Sequence, residues 1–200
     1  MNSLRILNRL SEKAAPGQTP DFTKTHVLLA ILTIGEEKIG RKLLSRELRL
    51  GEGTVRNLIH RLQDEGLIST TRHGTSLTEK GEKFIELISS IICGIPIHET
   101  QLTVGEYNYA VIIRDKAQQI RLGIEQRDQA IISGAKGATT IKFKEGEFIL
   151  PGVDTELDTA VKEKLKTLRP ENYDVIIIGT GETLFNAKMG AYSAGLDLLS

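Results

Sequence analysis

Four β-branched residues, Val175 to Ile178, run into Gly179-Thr180-Gly181, and a helix-like pattern follows in "ETLFNAKMGA". A strand, a glycine turn and a helix start in that order can offer backbone amides to a phosphate. The dinucleotide fingerprint G-x-G-x-x-G needs its third glycine at 184, where Leu184 stands. It also needs a second strand carrying an acid for the ribose. Only the tail Gly195-Leu196-Asp197-Leu198-Leu199-Ser200 remains, too short to finish such a unit. The pattern argues against a dinucleotide fold and leaves two readings. One is a small-anion site; the other is a tight strand-to-helix turn. The anion site would join Arg127 and Asp128, an adjacent charge pair in a largely apolar helix, to Gly179, Thr180, Gly181 and Glu182. It would hold a small anionic effector. The competing reading pairs Arg127 and Asp128 as surface charges.

Recognition chemistry of another kind lies in "TVRNLIHRLQDE", residues 54–65. Val55, Leu58, Ile59 and Leu62 fall at i, i+3, i+4 and i+7, so they share one buried helix face. That turns Thr54, Arg56, Asn57, His60, Arg61 and Gln63 outward. Arginine grips guanine bidentately and asparagine grips adenine, so this face could read duplex DNA in the major groove. Arg41, Lys42, Arg46, Arg72 and His73 are the candidate phosphate contacts, which position without reading sequence. The competing reading is a solvated face on a protein-binding module, with Glu52 and Arg56 as an i, i+4 surface pair.

Catalysis has little support. The second half has one histidine, His98, and no cysteine. H-E-x-x-H, G-x-S-x-G and the Walker pattern are all missing. No catalytic residue, cofactor or metal is expected. Cys93 is the sole cysteine, which rules out an intrachain disulfide and a cysteine-rich zinc site.

The elements that must position these residues can be read from period and punctuation. Leu4, Leu7 and Leu10 suit one face of a short N-terminal helix, an arm or a docked helix, broken by Ala15-Pro16-Gly17-Gln18-Thr19-Pro20. Val27, Leu28, Ala30, Ile31 and Ile34 make a helix ending near Gly35. Residues 41–48 make a second, with Leu43, Leu44 and Leu48 inward. Residues 54–65 make a third, closed by Gly66 as a left-handed cap. "LISTTR", His73-Gly74 and "TSLT" read as a β-hairpin. Thr78 caps the next helix, residues 79–93, which is apolar nearly all round through Phe84, Ile85, Leu87, Ile88, Ile91 and Ile92. After a Gly94-Ile95-Pro96 linker, residues 107–114 form a strand and residues 115–135 are mainly helical. Residues 139–150 form a hairpin, residues 155–168 a helix, residues 174–178 a strand, and residues 182–199 the last helix. The order β-α-β-β-α-β-α fits a two-layer α+β sandwich. The expected domains are an arm at 1–21, a helical and hairpin domain at 22–93, and an α+β domain at 94–200.

Three helices and a two-stranded wing are the order of a winged helix-turn-helix. "TVRNLIHRLQDEGLISTTRHGTSLTEKG" resembles archaeal and bacterial winged-helix transcriptional regulators over residues 22–93. "QRDQAIISGAKGATTIKF" and "DVIIIGTGET" resemble a small group of archaeal winged-helix proteins whose C-terminal domain has no assigned function. The resemblance implies a regulator and supplies no ligand. A protein-interaction adaptor and an enzyme fused to a DNA-binding domain are the other readings.

Charge and composition are consistent with this. Apolar content of 40% supports real cores. Residues 1–93 hold 14 basic and 11 acidic residues, and residues 94–200 hold 12 and 15, so only the first half leans towards a polyanion. A local excess of +3 is modest, which makes a homodimer the expected DNA-binding form. The helix at 79–93 and the small-residue face of the last helix (Ala187, Gly190, Ala191, Ala194, Gly195) are its candidate surfaces. The alternating opening "MNSLRILNRL" is unlike a signal peptide, and residues 84–97 are too short to cross a bilayer. A soluble cytoplasmic protein without membrane contact is expected.

Overall fold

A computed structural model describes residues 2–12 and 20–200. The chain is α+β and divides into two compact units, Met1–Ser89 and Ser90–Ser200.

The first unit is built on α2 (Lys24–Glu36), whose Val27, Leu28, Leu29, Ala30, Ile31 and Ile34 are all buried. At its start the Thr23 amide donates to Nδ1 of His26 at 3.2 Å. Burial lowers the His26 pKa, which favours the neutral, accepting imidazole. The other helices are α1 (Asn2–Ser11), α3 (Arg41–Glu47), α4 (Glu52–Asp64) and α5 (Glu79–Ser89); α1 and α5 pack on α2, and α3 packs on α4. A hairpin of β1 (Ile68–Thr71) and β2 (Gly74–Leu77) follows α4. The predicted apolar face of α4 is buried through Val55, Leu58, Ile59 and Leu62. Gly66 closes that helix with φ 75°. Its amide donates to Gln63, and the Leu67 amide donates to Leu62, a Schellman arrangement. Thr78 caps α5, accepting from the Gly81 amide at 3.1 Å. Ile39 pairs with Thr75 through two backbone hydrogen bonds, tying the segment before α3 to the hairpin.

The N-terminal helix is docked rather than an arm. Leu7 and Leu10 are buried, as is Ile6, and the helix packs on α2, α4 and α5. Ala15 to Thr19, the predicted break, lie outside the described residues. Leu43 departs from expectation. It is 44% exposed, because only Leu44 of α3 and the following Leu48 reach the core.

The predicted apolar helix 79–93 is also corrected. It stops at Ser89, and of its apolar residues only Phe84 and Ile88 are fully buried. Ile92 and Cys93 open a strand, β3 (Ile92–Ile97), which takes in the predicted linker. A run rich in β-branched residues satisfies both periods, and sheet pairing decided between them. Pro96 is tolerated because β3 is an edge strand. The second unit therefore starts before the expected boundary at Cys93. Its β-strand order gains one member at the front.

That unit is a five-stranded antiparallel sheet. With β4 (Tyr107–Ile113), β5 (Gly137–Lys144), β6 (Glu147–Ile149) and β7 (Val175–Gly181), the order is β3-β4-β7-β5-β6. Helices cover both faces, so the layering is α/β/α and not the two-layer sandwich expected. One face carries α7 (Thr159–Lys166): Val161 and Leu165 pack with Ala110, Ile112, Ile176 and Ile178. The other carries α6 (Ile124–Ile132) and α8 (Leu184–Leu198). The helix expected over 115–135 is shorter because left-handed Asp115 (φ 52°) and Gly123 (φ 77°) interrupt it.

The strand ends are tied by Asp174. Its carboxylate accepts from Arg114 at 2.6 Å and from the amides of Asp115 and Glu171 at 3.0 and 2.8 Å. Arg114 also donates to the carbonyls of Leu168 and Arg169 just after α7. Cys93 packs half-buried against the same core as α7. Burial raises its thiol pKa, and the nearby charges of Arg114 and Asp174 act in opposite directions.

The small residues of α8 are used inside the unit. Ala187, Gly190, Ala191, Ala194 and Gly195 are all buried, so this face is not available to a second copy. A Cβ on Gly179 would stand 2.3 Å from the Ala187 carbonyl oxygen and 2.7 Å from the Ala191 amide nitrogen. Those are backbone atoms of α8 and cannot rotate away. Gly179→Ala should lower the stability of the second unit by about 1–3 kcal/mol. Gly53 of α4 has nothing within 4 Å of its added Cβ, and Gly53→Ala should hold or raise stability by up to about 1 kcal/mol. Urea unfolding of the two variants checks this. Equal midpoints would show that α8 does not depend on the close approach.

Candidate nucleic-acid interface

Helix α4 presents Arg56, Asn57 and His60 to solvent, with Thr54 and Gln63 half-buried. Arg56, His60 and Gln63 recur at i, i+4 and i+7 and share one stripe. Asn57 lies about 100° further round the helix. The Ile39–Thr75 bridge holds the hairpin beside this stripe. Between them is a groove of about 420 Å³, lined by Arg41, Arg56, His60, Gln63, Thr70, Thr71 and Arg72, among others. Four cationic or titratable side chains from α3, α4 and the hairpin tip thus converge, although they are far apart in sequence. Sequence reasoning missed Thr70 and Thr71. Strand alternation in "ISTT" gives no signal for them, because residues 69–71 are all exposed.

The other predicted contacts divide. Lys42 and Arg46 are exposed on α3 outside the groove lining. At the hairpin tip Arg72 donates to Nε2 of His73 at 2.9 Å, holding the two side chains together. Glu52 pairs with Arg41 at 3.6 Å, not with Arg56 as its spacing suggested. Both partners are about half exposed, so the pair contributes little.

Arg61 is removed from the recognition set. Its guanidinium donates to the carbonyls of Leu10 and Glu12 at 2.9 and 2.6 Å and lies 5.5 Å over the Phe22 ring. It satisfies carbonyls at the C-terminal end of α1, which a helix leaves unpaired. Glu65 does related work. Burial raises its carboxyl pKa, but hydrogen bonds and charge from Lys80 and Arg9 outweigh this, and the net shift is downward.

The anion site expected in the second unit does not assemble. Gly179, Thr180 and Gly181 belong to β7 and are buried, so they form no open turn. The start of α8 is occupied by Thr183, which accepts from the Asn186 amide at 3.2 Å. Glu182 pairs with Lys136 at 3.3 Å. Arg127 and Asp128 pair with each other at 3.0 Å on the exposed side of α6. Arg127 lines a different cleft, with Gly123, Thr139 and Thr140, that takes in none of residues 179–182. The glycines serve the packing of α8, the second of the two sequence readings. Among the described residues no group of three or more His, Cys, Asp or Glu is placed to hold a metal. No helix among them is long and apolar enough to cross a membrane.

With this geometry in view, residues 26–83 match the family model described as PH0730-like, N-terminal domain. Residues 104–198 match a domain of unknown function, DUF4443. The chain is similar to an archaeal protein of known structure. That structure, hypothetical protein PH0730 from Pyrococcus horikoshii OT3, shares 29% identity and a TM-score of 0.75. The match covers 89% of this chain and 93% of that one. Comparison with curated proteins gives no match.

Arg61 and Arg56 should separate cleanly in stability. Arg61→Ala removes the donor that Leu10 and Glu12 share at the end of α1 and should cost about 1–3 kcal/mol. Arg56→Ala should stay within about 0.5 kcal/mol of wild type, as for an exposed position. Chemical denaturation of both variants decides it. An unaffected Arg61→Ala protein would return Arg61 to the recognition face.

Proposed function

We propose that the first unit is a winged helix that binds duplex DNA, with α4 in the major groove and the β1–β2 hairpin as the wing. The observation that supports this is the single groove shared by Arg41, Arg56, His60 and Arg72. A helix and a wing presented side by side match the two elements with which this motif meets a major groove and the adjacent backbone. Arg56 and Asn57 are the base-reading candidates. Arg41, Lys42, Arg46, Arg72 and His73 are the phosphate candidates. On this reading the protein is a cytoplasmic transcriptional regulator, and the second unit serves dimerisation or sensing. The small charge excess of the first unit implies two copies on a two-fold site. A protein-binding adaptor is the second reading, favoured by Leu43, which is 44% exposed on the same helix as Arg41, Lys42 and Arg46.

Selection of bound fragments from random duplex DNA tests the reading. Enrichment of a defined sequence, with affinity falling as salt rises, supports it. Binding that is neither selective nor salt-dependent leaves the adaptor. Within a selected site, Arg56→Ala and Asn57→Ala should relax specificity more than they weaken binding to random DNA. Footprints of unchanged selectivity would remove α4 as the reader.

The wing makes a separate prediction. Arg72→Ala should weaken all duplexes alike and reduce the slope of log K against log salt by about one. A slope equal to wild type would place the wing away from the phosphates.

A further inference from the structure

We propose that the outward stripe of α6 is a two-fold seam that binds the same stripe of a second copy of this chain. This inference rests on the two-copy reading above, and its test needs no DNA. Helix α6 buries Gln126 and Ala130 against its own unit, and its Gln129 and Ser133 side chains hydrogen-bond Ser193. The opposite side carries Ile124, Arg127, Asp128 and Ile131 at i, i+3, i+4 and i+7, one continuous stripe. Ile124 is 46% and Ile131 47% exposed. The side chains of Arg127 and Asp128 are 52% and 55% exposed.

The stripe is self-complementary. The midpoint between Arg127 and Asp128 is also the midpoint between Ile124 and Ile131. A two-fold axis through that point, perpendicular to an antiparallel helix pair, sets each Arg127 against the partner's Asp128. It also sets each Ile124 against the partner's Ile131. An isologous interface requires this relation, in which residue i meets j and j meets i. In the single chain Arg127 folds back on its neighbour Asp128, an exposed pair of little value. Across the seam the same charges would make two ion pairs flanked by apolar side chains. The apolar surface continues past the stripe: Leu122 (57% exposed) and Val153 (55%) line the same shallow cleft as Ile124 and Arg127. The surfaces suggested by sequence do not offer this: the small-residue face of α8 is buried in its own unit, and α5 keeps only Leu87 as a large exposed apolar residue.

Charge exchange in the full-length chain tests the seam, read by sedimentation at micromolar concentration. Wild type should sediment at twice the 22.1 kDa chain mass. Arg127→Asp and Asp128→Arg should each weaken self-association by about tenfold or more, since each places like charges across the axis. The double variant should regain the wild-type dimer. A mixture of the two single variants should give mixed dimers, because the paired aspartates of one chain then meet the paired arginines of the other. Ile131→Lys should disperse the dimer, and Leu87→Lys should not. Both charged positions are more than half exposed, and circular dichroism confirms the fold. A monomeric wild type overturns both the seam and the two-copy reading. A dimer that survives every α6 change, or that only Leu87→Lys disperses, overturns the seam alone. Single variants that weaken but are not restored in the double or the mixture overturn this pairing.

Discussion

Helix α8 can lie on β7 only because two positions of that strand have no side chain. Gly179 and Gly181 let the helix backbone come within van der Waals distance of the strand backbone. A Cβ at either would stand under 3 Å from α8 atoms. Much of the second unit is arranged around that contact. β7 sits at the centre of the sheet between β4 and β5, so the helix seated on it also covers β4, and α6 beside it covers β5. Gly190 on the flank of α8 then admits α6 and the turn after it, where a Cβ would stand 3.3 Å from that of Ala130 and 2.5 Å from that of Ala135. The chain of close approaches fixes which side of α6 faces inward. It thereby leaves Ile124, Arg127, Asp128 and Ile131 in solvent. The opposite face of the sheet has no such restriction and is filled by the larger side chains of α7.

A different rule holds in the first unit, where polar contacts place the ends of helices. Arg61 and Glu65 both lie on the last turn of α4 or next to it. Arg61 reaches back to the carbonyls of α1, and Glu65 gathers Arg9 of α1 and Lys80 of α5. These side chains hold α1 and α5 against α4. The side of α4 that carries Arg56 and His60 is left open to the groove beside the hairpin. The Ile39–Thr75 bridge fixes the other wall. Arg61, which packs, and Arg56, which faces the groove, thus share one helix and are separated by where on its circumference they fall.

Local signals were strong where a single period or a single cap decided the matter. The buried face of α4, the glycine cap after it, the hairpin with Arg72-His73 at its tip and the Thr78 cap were all legible from spacing. So were the main strands and helices of the second unit. A 3.6-residue or two-residue period is set by the backbone itself, and Gly66 is the residue that tolerates a left-handed cap. Misreadings came where one composition suits two structures. The run at 91–97 is apolar at both periods, and Leu43 satisfied a pattern without reaching the core. Gly179-Thr180-Gly181 would read the same as a phosphate turn or as a strand under a helix.

The sequence by itself determined the α+β class, most element positions and the exposure of Arg56 and His60 on α4 and of Arg72 and His73 at the hairpin tip. Those follow from periodicity, turn chemistry and capping, all of which act within about ten residues. Only the tertiary structure decided that helices cover both faces of the sheet and that Arg61 serves α1. It likewise decided that Arg127 and the β7 glycines belong to different places, and that Arg41, Arg56, His60 and Arg72 line one groove. Each of these depends on which elements lie side by side, and side chains tens of residues apart carry no local signal of that neighbourhood.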